Sequence, residues 1–320
     1  EDKFAKNIAK HIVRARENIT AYISIGMNAN AKRLMYKNER SPYALKLNAI
    51  RNSIFAVDIE PSAVDITQLR LWLSLVIDDE ITLDAANDLE GHKNPLPLPN
   101  LECNILCGNS LVDEFKGIKL VKESDILGTM TDGIQMDFGH SGFETIVKQL
   151  LKLQDELFVC DEPHKKFELK GKIQSLKDMI ISEQLAGCSE DTKFEYNLAV
   201  RRASKPFVLW QLDFARVFRD NGGFDIVIGN PPYVGESGHK EIFREVAATR
   251  FGERFYQGKM DFFYFFFHKG LDILNEHGFC GLITTNYFLT NSGAKTLRND
   301  FKERANIVKM VNFNELKIFQ

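Results

Sequence analysis

The chain has 320 residues, 44% hydrophobic and 27% charged, with a formal net charge of −3. This is an ordinary soluble globular composition, long enough for one large α/β domain with an insertion or for two smaller domains. It carries no overall positive charge for nucleic acid, and its longest aromatic cluster, residues 262–267, is too short for a membrane span and is flanked by Asp261 and His268.

The five cysteines, Cys103, Cys107, Cys160, Cys188 and Cys280, are odd in number and scattered, which fits a reducing cytoplasm better than a disulfide scaffold. Cys103 and Cys107 lack the second pair or the histidines that zinc would need, so no metal is expected. Residue 1 is Glu and no signal pattern follows, so the chain reads as an excerpt of a longer one.

Residues 4–19 place Phe4, Ile8, His11, Ile12 and Ile19 on one helical stripe, an amphipathic surface helix, and a second helical stretch runs from about Lys46 to Asn52. The period then changes. Residues 54–58 form an apolar run ending in Asp58, and Pro61 opens another helix at its first turn. A carboxylate at the tip of such a strand can accept both hydroxyls of a ribose. The bland alternative is a helix N-terminal charge, favourable by ~0.3–1 kcal/mol. On the helix that follows, Trp72 lies with Ile66, Leu69 and Leu73 at helical spacing and is expected in the core.

Residues 78–100, charged and then punctuated by Pro95, Pro97 and Pro99, read as an extended connection. Residues 101–107 read as a strand, and Gly108-Asn109-Ser110-Leu111 as the polar turn after it. From 143 to 185, Ile146, Leu150, Leu153, Leu157, Phe167, Ile173, Leu176 and Ile180 recur at three or four, with Asp161-Glu162-Pro163 interrupting them; this predicts an αα-hairpin projecting from the sheet. Glu168-Leu169-Lys170, with Asp161 upstream, has the acid-x-lysine form of a nuclease core, but it sits in helical periodicity rather than on a strand.

The stretch around which the chain is organised is residues 224–233. Ile226, Val227 and Ile228 suit a strand buried on both faces of a parallel sheet, and the strand stops at Asn230-Pro231-Pro232-Tyr233. The prolines fix φ and remove two donors, so the carbonyls here stay available as acceptors. Asn230 adds a side-chain oxygen and Tyr233 a flat face, which together suit a planar ring bearing an NH₂ group. Beyond it, 234–259 is polar and glycine-spaced and reads as a mobile loop. Residues 261–274 read as an aromatic-faced helix capped by Gly278, 279–286 as a buried strand, 287–304 as a helix and 307–313 as the start of another strand.

Asn-Pro-Pro-Tyr resembles the catalytic motif of S-adenosylmethionine-dependent amino-methyltransferases, in the form typical of adenine-specific DNA methyltransferases. The run IFAVDIEPSAVDITQLRLWLSL from Ile54 is similar to the second motif of their Eco57I-like, type IIG restriction-modification branch. That resemblance implies a Rossmann-like, doubly wound, mostly parallel sheet of the class I methyltransferases, with a helical insertion. It implies catalytic roles for Asn230, Pro231, Pro232 and Tyr233, and S-adenosyl-L-methionine held by Asp58 at the ribose, by Ile59 on the adenine, and by Asn109 with Ser110 beside it. Phe319 would pack on the flipped base with Tyr233. The reaction implied is methyl transfer to the exocyclic amine of an extruded adenine in double-stranded DNA, without a covalent enzyme intermediate.

The expected layout is a first methyltransferase part over 1–114, a helical insertion over 115–205 and a catalytic part over 206–320. The family's glycine-rich cofactor loop does not occur before Asp58, and its target recognition domain, the main DNA contact, is expected after Phe319; relatives are often fused to a nuclease. Two further readings remain open: a protein-glutamine or RNA-guanine methyltransferase, which shares the motif, and an inactive DNA-contacting scaffold.

Overall fold

The computed structural model describes residues 42–77, 100–121, 140–160 and 162–313. The expected helix at 4–19, the proline-rich connection over 78–99, Asp161 and Phe319 lie outside the described residues. The chain divides into two units, residues 1–54 with 69–96, and residues 55–68 with 97–320.

In the first unit, helix α1 (Pro42–Ser53) begins four residues earlier than its period suggests. Its Lys46 donates to the Ser74 carbonyl at 3.2 Å, near the end of helix α2 (Pro61–Val76). Ile66, Leu69 and Leu73 of α2 are each about half exposed, against the expected core stripe. A helical period tells which side chains share a face; it does not supply the layer that covers them.

The second unit is α/β, with small sheets and helices. Strand β1 (Ala56–Asp58) pairs in parallel with β2 (Ile105–Cys107), Asp58 opposite Cys107. A hairpin follows, β3 (Glu114–Phe115) with β4 (Ile118–Lys119). Helices α3 (His140–Val159) and α4 (Pro163–Leu185) then form the expected αα-hairpin, with Pro163 in the first turn of α4, and α5 (Glu190–Ala199) follows with Ser189 capping its start. Leu150, Leu157, Leu169, Ile173 and Ile180 are buried in one cluster, whereas Phe167 is 81% exposed and leaves the stripe. Lys177 of α4 pairs with Asp213 where both are largely buried, tying the hairpin to the short helix α6 (Trp210–Asp213).

After α7 (Ala215–Asn221), strand β5 (Phe224–Gly229) pairs in parallel with β6 (Leu274–Leu282). The expectation that β5 is buried on both faces does not hold. Ile226 is 51% and Ile228 79% exposed, because α7 and α10 cover only one face among the described residues. Residues 234–259 are not a loose loop either. They contain α8 (Lys240–Ala247) and α9 (Arg250–Phe255), whose Phe243, Val246, Phe251 and Phe255 are buried, and the glycines serve turns: Gly238 and Gly258 have φ of 94° and 79°.

Helix α10 (Phe263–Ile273) buries Phe263, Tyr264 and Phe265 completely, as its aromatic density predicts. It ends at Ile273, so Gly278 is no cap. It lies inside β6, where a Cβ would come within 2.8 Å of the Phe224 carbonyl at an irregularity in the ladder. The stretch expected as a helix from 287 begins as two 3₁₀ turns, Asn286–Leu289 and Ser292–Ala294, and becomes helix α11 only over Lys295–Arg304. Residues 305–313 form no strand; Ile307, Val308, Met310 and Val311 are exposed, and a β-branched run stays irregular where no neighbour offers a ladder.

The two strand pairs share one apolar layer. Phe55, Val57 and Leu106 from the first and Phe224 and Val227 from the second pack against Val208, Phe214, Phe218 and Ile273. Phe55, just ahead of β1, meets Phe224, the first residue of β5, with ring centroids 5.8 Å apart, and both touch Phe214. The strands are thus entered from the same end.

Candidate functional site

Asp58 and Asn109 are brought together by the parallel register of β1 and β2. The Gly108 amide donates to the Asp58 carbonyl at 2.8 Å, one step past the ladder, so Asn109 follows at the same end of the strand pair as Asp58. Asp58 is exposed, and its Oδ1 accepts the Glu60 amide at 2.9 Å; its other oxygen takes no bond among the described residues. Ile59 follows with an exposed side chain, 62% accessible. Asn109 Oδ1 accepts the Leu111 amide at 3.1 Å, which shapes the turn, and the Ser110 carbonyl accepts the Trp210 indole N–H at 2.9 Å. An exposed carboxylate oxygen, an apolar side chain next to it and a polar turn alongside fit the ribose and base of a nucleoside-containing cofactor.

A segment not singled out from the sequence supports this edge. Residues 204–208 return from the helical hairpin and run beside the tip of β2. Lys205 N–H donates to Cys107 O at 3.3 Å, Lys205 O accepts the Asn109 amide at 2.9 Å, and Ser204 Oγ donates to Ile59 O at 2.7 Å. Gly108 is required by the approach: a Cβ there would lie 2.9 Å from Val208 Cγ2 and 3.1 Å from the carbonyl oxygens of Lys205 and Phe207. Burial pushes the Lys205 ammonium pKa down against the pull of Asp213. The signal for this extended segment is Pro206, which disfavours helix at the residue before it.

At the end of β5, Asn230 and Pro232 are exposed and Pro231 is buried. The Tyr233 hydroxyl lies 2.8 Å from Asn230 Oδ1 and 3.0 Å from the Ile283 carbonyl, and Ile283 N–H donates to Gly229 O at 3.1 Å. Asn230, Tyr233 and Ile283 are therefore one constellation held by the β5–β6 pair. Ile283, which the sequence did not mark, enters through its main chain. The segment after Tyr233 is fastened back: Phe262 N–H donates to Val234 O at 2.7 Å, and Glu236 N–H to Met260 O at 2.9 Å.

The acid-x-lysine triplet is engaged otherwise. Glu168 pairs with Lys172 and Lys170 with Glu102, all on or beside α4. Among the described residues no group of three or more His, Cys, Asp or Glu side chains is placed to hold a metal, and no helix is long and apolar enough to cross a membrane.

A family model described as Eco57I restriction-modification methylase matches residues 52–319. The chain belongs to that family. Asp58, Asn109 and Asn230 all fall inside the matched span, as does the helical hairpin. Among curated proteins the Eco57I-family chain is similar to RM.MjaORFECS2P of Methanocaldococcus jannaschii, named as a candidate type II restriction enzyme and methyltransferase, at 25% identity over 88% of this chain and 26% of that protein. It is 27% identical to the type II methyltransferase M.BstVI of Geobacillus stearothermophilus over 36% of this chain and 19% of that one. To the type II restriction enzyme and methyltransferase RM.Eco57I of Escherichia coli it is 25% identical over 31% of this chain and 10% of that one. The chain thus spans about a quarter or less of the length of these relatives.

Proposed function

We propose that this chain is the methyl-transfer portion of a restriction-modification DNA methyltransferase, acting on the exocyclic amine of adenine with S-adenosyl-L-methionine as donor. The observation that carries the reading is the Asn230-Pro231-Pro232-Tyr233 constellation at the end of β5, with Asn230 and Tyr233 both exposed and joined through the tyrosine hydroxyl and the Asn230 amide oxygen.

Asp58 would accept the ribose hydroxyls, Ile59 would cover one face of the cofactor's adenine, and Asn109 with Ser110 would line its edge. Bound there, the cofactor supplies an electrophilic methyl group. The chain's own part is to hold the extruded base on Tyr233 and to accept hydrogen bonds from the amine's N–H groups at Asn230 Oδ1 and the Pro231 carbonyl, which draws electron density onto the nitrogen that attacks. Phe319 would pack on the same base.

The shared layer under β1–β2 and β5–β6 supports a single doubly wound sheet, with one further strand between β1 and β5. Those two would then lie about 9–10 Å apart, two strand spacings, with Asp58, Asn109 and Asn230 around one crevice. In this reading residues 1–114 and 206–320 form the methyltransferase and 115–205 its insertion; DNA is held mainly by a recognition domain, and a fused or associated nuclease is compatible with it.

The test is transfer of labelled methyl from S-adenosylmethionine to duplex DNA by the full-length protein, with the product base identified after digestion. N6-methyladenine is the expected product, and Asn230→Ala should reduce its formation by about a hundredfold or more, as loss of a comparable polar stabiliser does. Label appearing on protein glutamine or RNA guanine instead, or near-normal transfer by Asn230→Ala, refutes the reading.

A further inference from the structure

The Tyr233 hydroxyl stands between two acceptors, Asn230 Oδ1 at 2.8 Å and the Ile283 carbonyl at 3.0 Å. A phenol carries one proton, and neither of these neighbouring oxygens has one to give. Three oxygens therefore share a single hydrogen, and both bonds cannot be made at full strength. Desolvation raises the Tyr233 pKa, so the hydroxyl remains a donor at neutral pH.

An incoming amine changes this count. It brings two N–H groups; once one is donated to Asn230 Oδ1, the tyrosine proton is free to go wholly to Ile283. A keto oxygen in the same place would face the Asn230 oxygen acceptor against acceptor.

The anchor is bonded into the fold. Ile283 is tied to Gly229 one step beyond the β5–β6 ladder, and the turn that follows is held by Arg298, whose Nη1 donates to the carbonyls of Phe288 at 2.9 Å and Asn291 at 2.8 Å.

We infer that the Tyr233 hydroxyl is a positioning group: it holds the Asn230 amide oxygen aimed at the crevice until an amine takes that oxygen over, and the Ile283 carbonyl keeps the hydroxyl, and with it the ring, in place before and after. This rests on the proposed function and deepens it, because it gives the hydroxyl a task that ring stacking does not cover and makes the site select for a hydrogen-bond donor.

The test uses the full-length protein and single-turnover methyl transfer to duplex DNA. Tyr233→Phe keeps the ring and removes the hydroxyl. The rate is expected to fall about three- to tenfold, the worth of one net hydrogen bond. DNA affinity, melting temperature and the fluorescence of 2-aminopurine at the target position should stay at the parent values. On an Asn230→Ala background the same change should cost nothing more, since the hydroxyl acts through Asn230. A parent-like rate for Tyr233→Phe, or losses that simply add in the double variant, overturns the inference while leaving the methyltransferase reading intact. If Asn230→Ala is itself unimpaired, the methyltransferase reading falls and takes this inference with it.

Discussion

Asp300 of α11 accepts hydrogen bonds from His268 Nδ1 at 2.6 Å and from Arg304 Nε and Nη2 at 2.6 and 2.7 Å, with only 8% of its surface exposed. His268 is fully buried, stacks on Phe255 at 3.9 Å, and its Nε2 has no partner among the described residues. Replacing Asp300 with alanine would leave both imidazole nitrogens unsatisfied, although Arg304 would retain Asp272 at 2.6 Å. Breaking a buried pair costs about 3–5 kcal/mol. Because Arg304 keeps a second partner and is partly exposed, the lower end, about 3 kcal/mol, is expected, equivalent to roughly 6–12 °C in Tm for a domain of this size.

Burial alone would raise the Asp300 pKa, but the bonds from His268 and Arg304 outweigh it and hold the carboxyl far below the usual carboxylate range. Burial lowers the His268 pKa and outweighs Asp300's pull, so at neutral pH the folded protein's ring is uncharged. An unfolded chain protonates this histidine below about pH 6.5, while the folded one does not, so its contribution is full above that pH and is lost as pH falls toward the lower folded value. The depressed Asp300 acts further down, its contribution disappearing only below about pH 4. Urea denaturation of the parent, Asp300→Ala and His268→Gln proteins between pH 5 and 8 is the assay. A loss under about 1 kcal/mol for Asp300→Ala, or no flattening of the pH slope in His268→Gln, would refute this account of the α10–α11 contact.

Three further outcomes are expected. Asp58→Ala should weaken S-adenosylmethionine binding by about ten- to a hundredfold, the range for hydrogen bonds to a charged group, with DNA affinity unchanged; calorimetric titration of both ligands checks it, and unaltered cofactor binding counts against the ribose assignment. Tyr233→Ala should weaken retention of the extruded base by ~1–3 kcal/mol, seen as lost 2-aminopurine signal, and an unchanged signal rules out stacking. Gly108→Ala should cost about 1–3 kcal/mol by overpacking, since the new methyl meets Val208 and two carbonyl oxygens; a melting curve equal to the parent's would show that residues 204–208 can yield.

The order of elements around β5 is legible from local chemistry, because Gly222-Gly223, three β-branched residues and two prolines mark both ends of the strand. The αα-hairpin is legible for a similar reason: leucines and isoleucines recur at helical spacing on both sides of Pro163, which divides them. Burial is harder to read. Ile226 and Ile228 look like core residues, but an apolar side chain is covered only if another element lies across it, and that depends on distant parts of a chain. Residues 234–259 misled in the opposite direction, since Gly238 and Gly258 suggest looseness while Phe243 and Phe255 are anchored by contacts with α10 and its neighbours. At the site, motif positions are readable one by one, whereas the Ile283 carbonyl leaves no trace in residue type, since every amino acid offers a carbonyl, and the Lys205 main chain is marked only indirectly, by Pro206 after it.

The return of residues 204–208 along β2 limits how this protein can be shortened. A truncation that shortens the helical hairpin must leave residues 204–208 in place, because the Ser204 hydroxyl and Lys205 backbone are what the Ile59 and Asn109 main chains lean on. The hairpin is no free appendage either: Leu150, Leu157, Leu169, Ile173 and Ile180 share their cluster with Leu120, Phe207 and Leu212, so shortening must keep the turns of α3 and α4 that carry them. A splice placed after Lys205 would take away the extended segment that lies along Asn109 while the Asn-Pro-Pro-Tyr corner stayed whole.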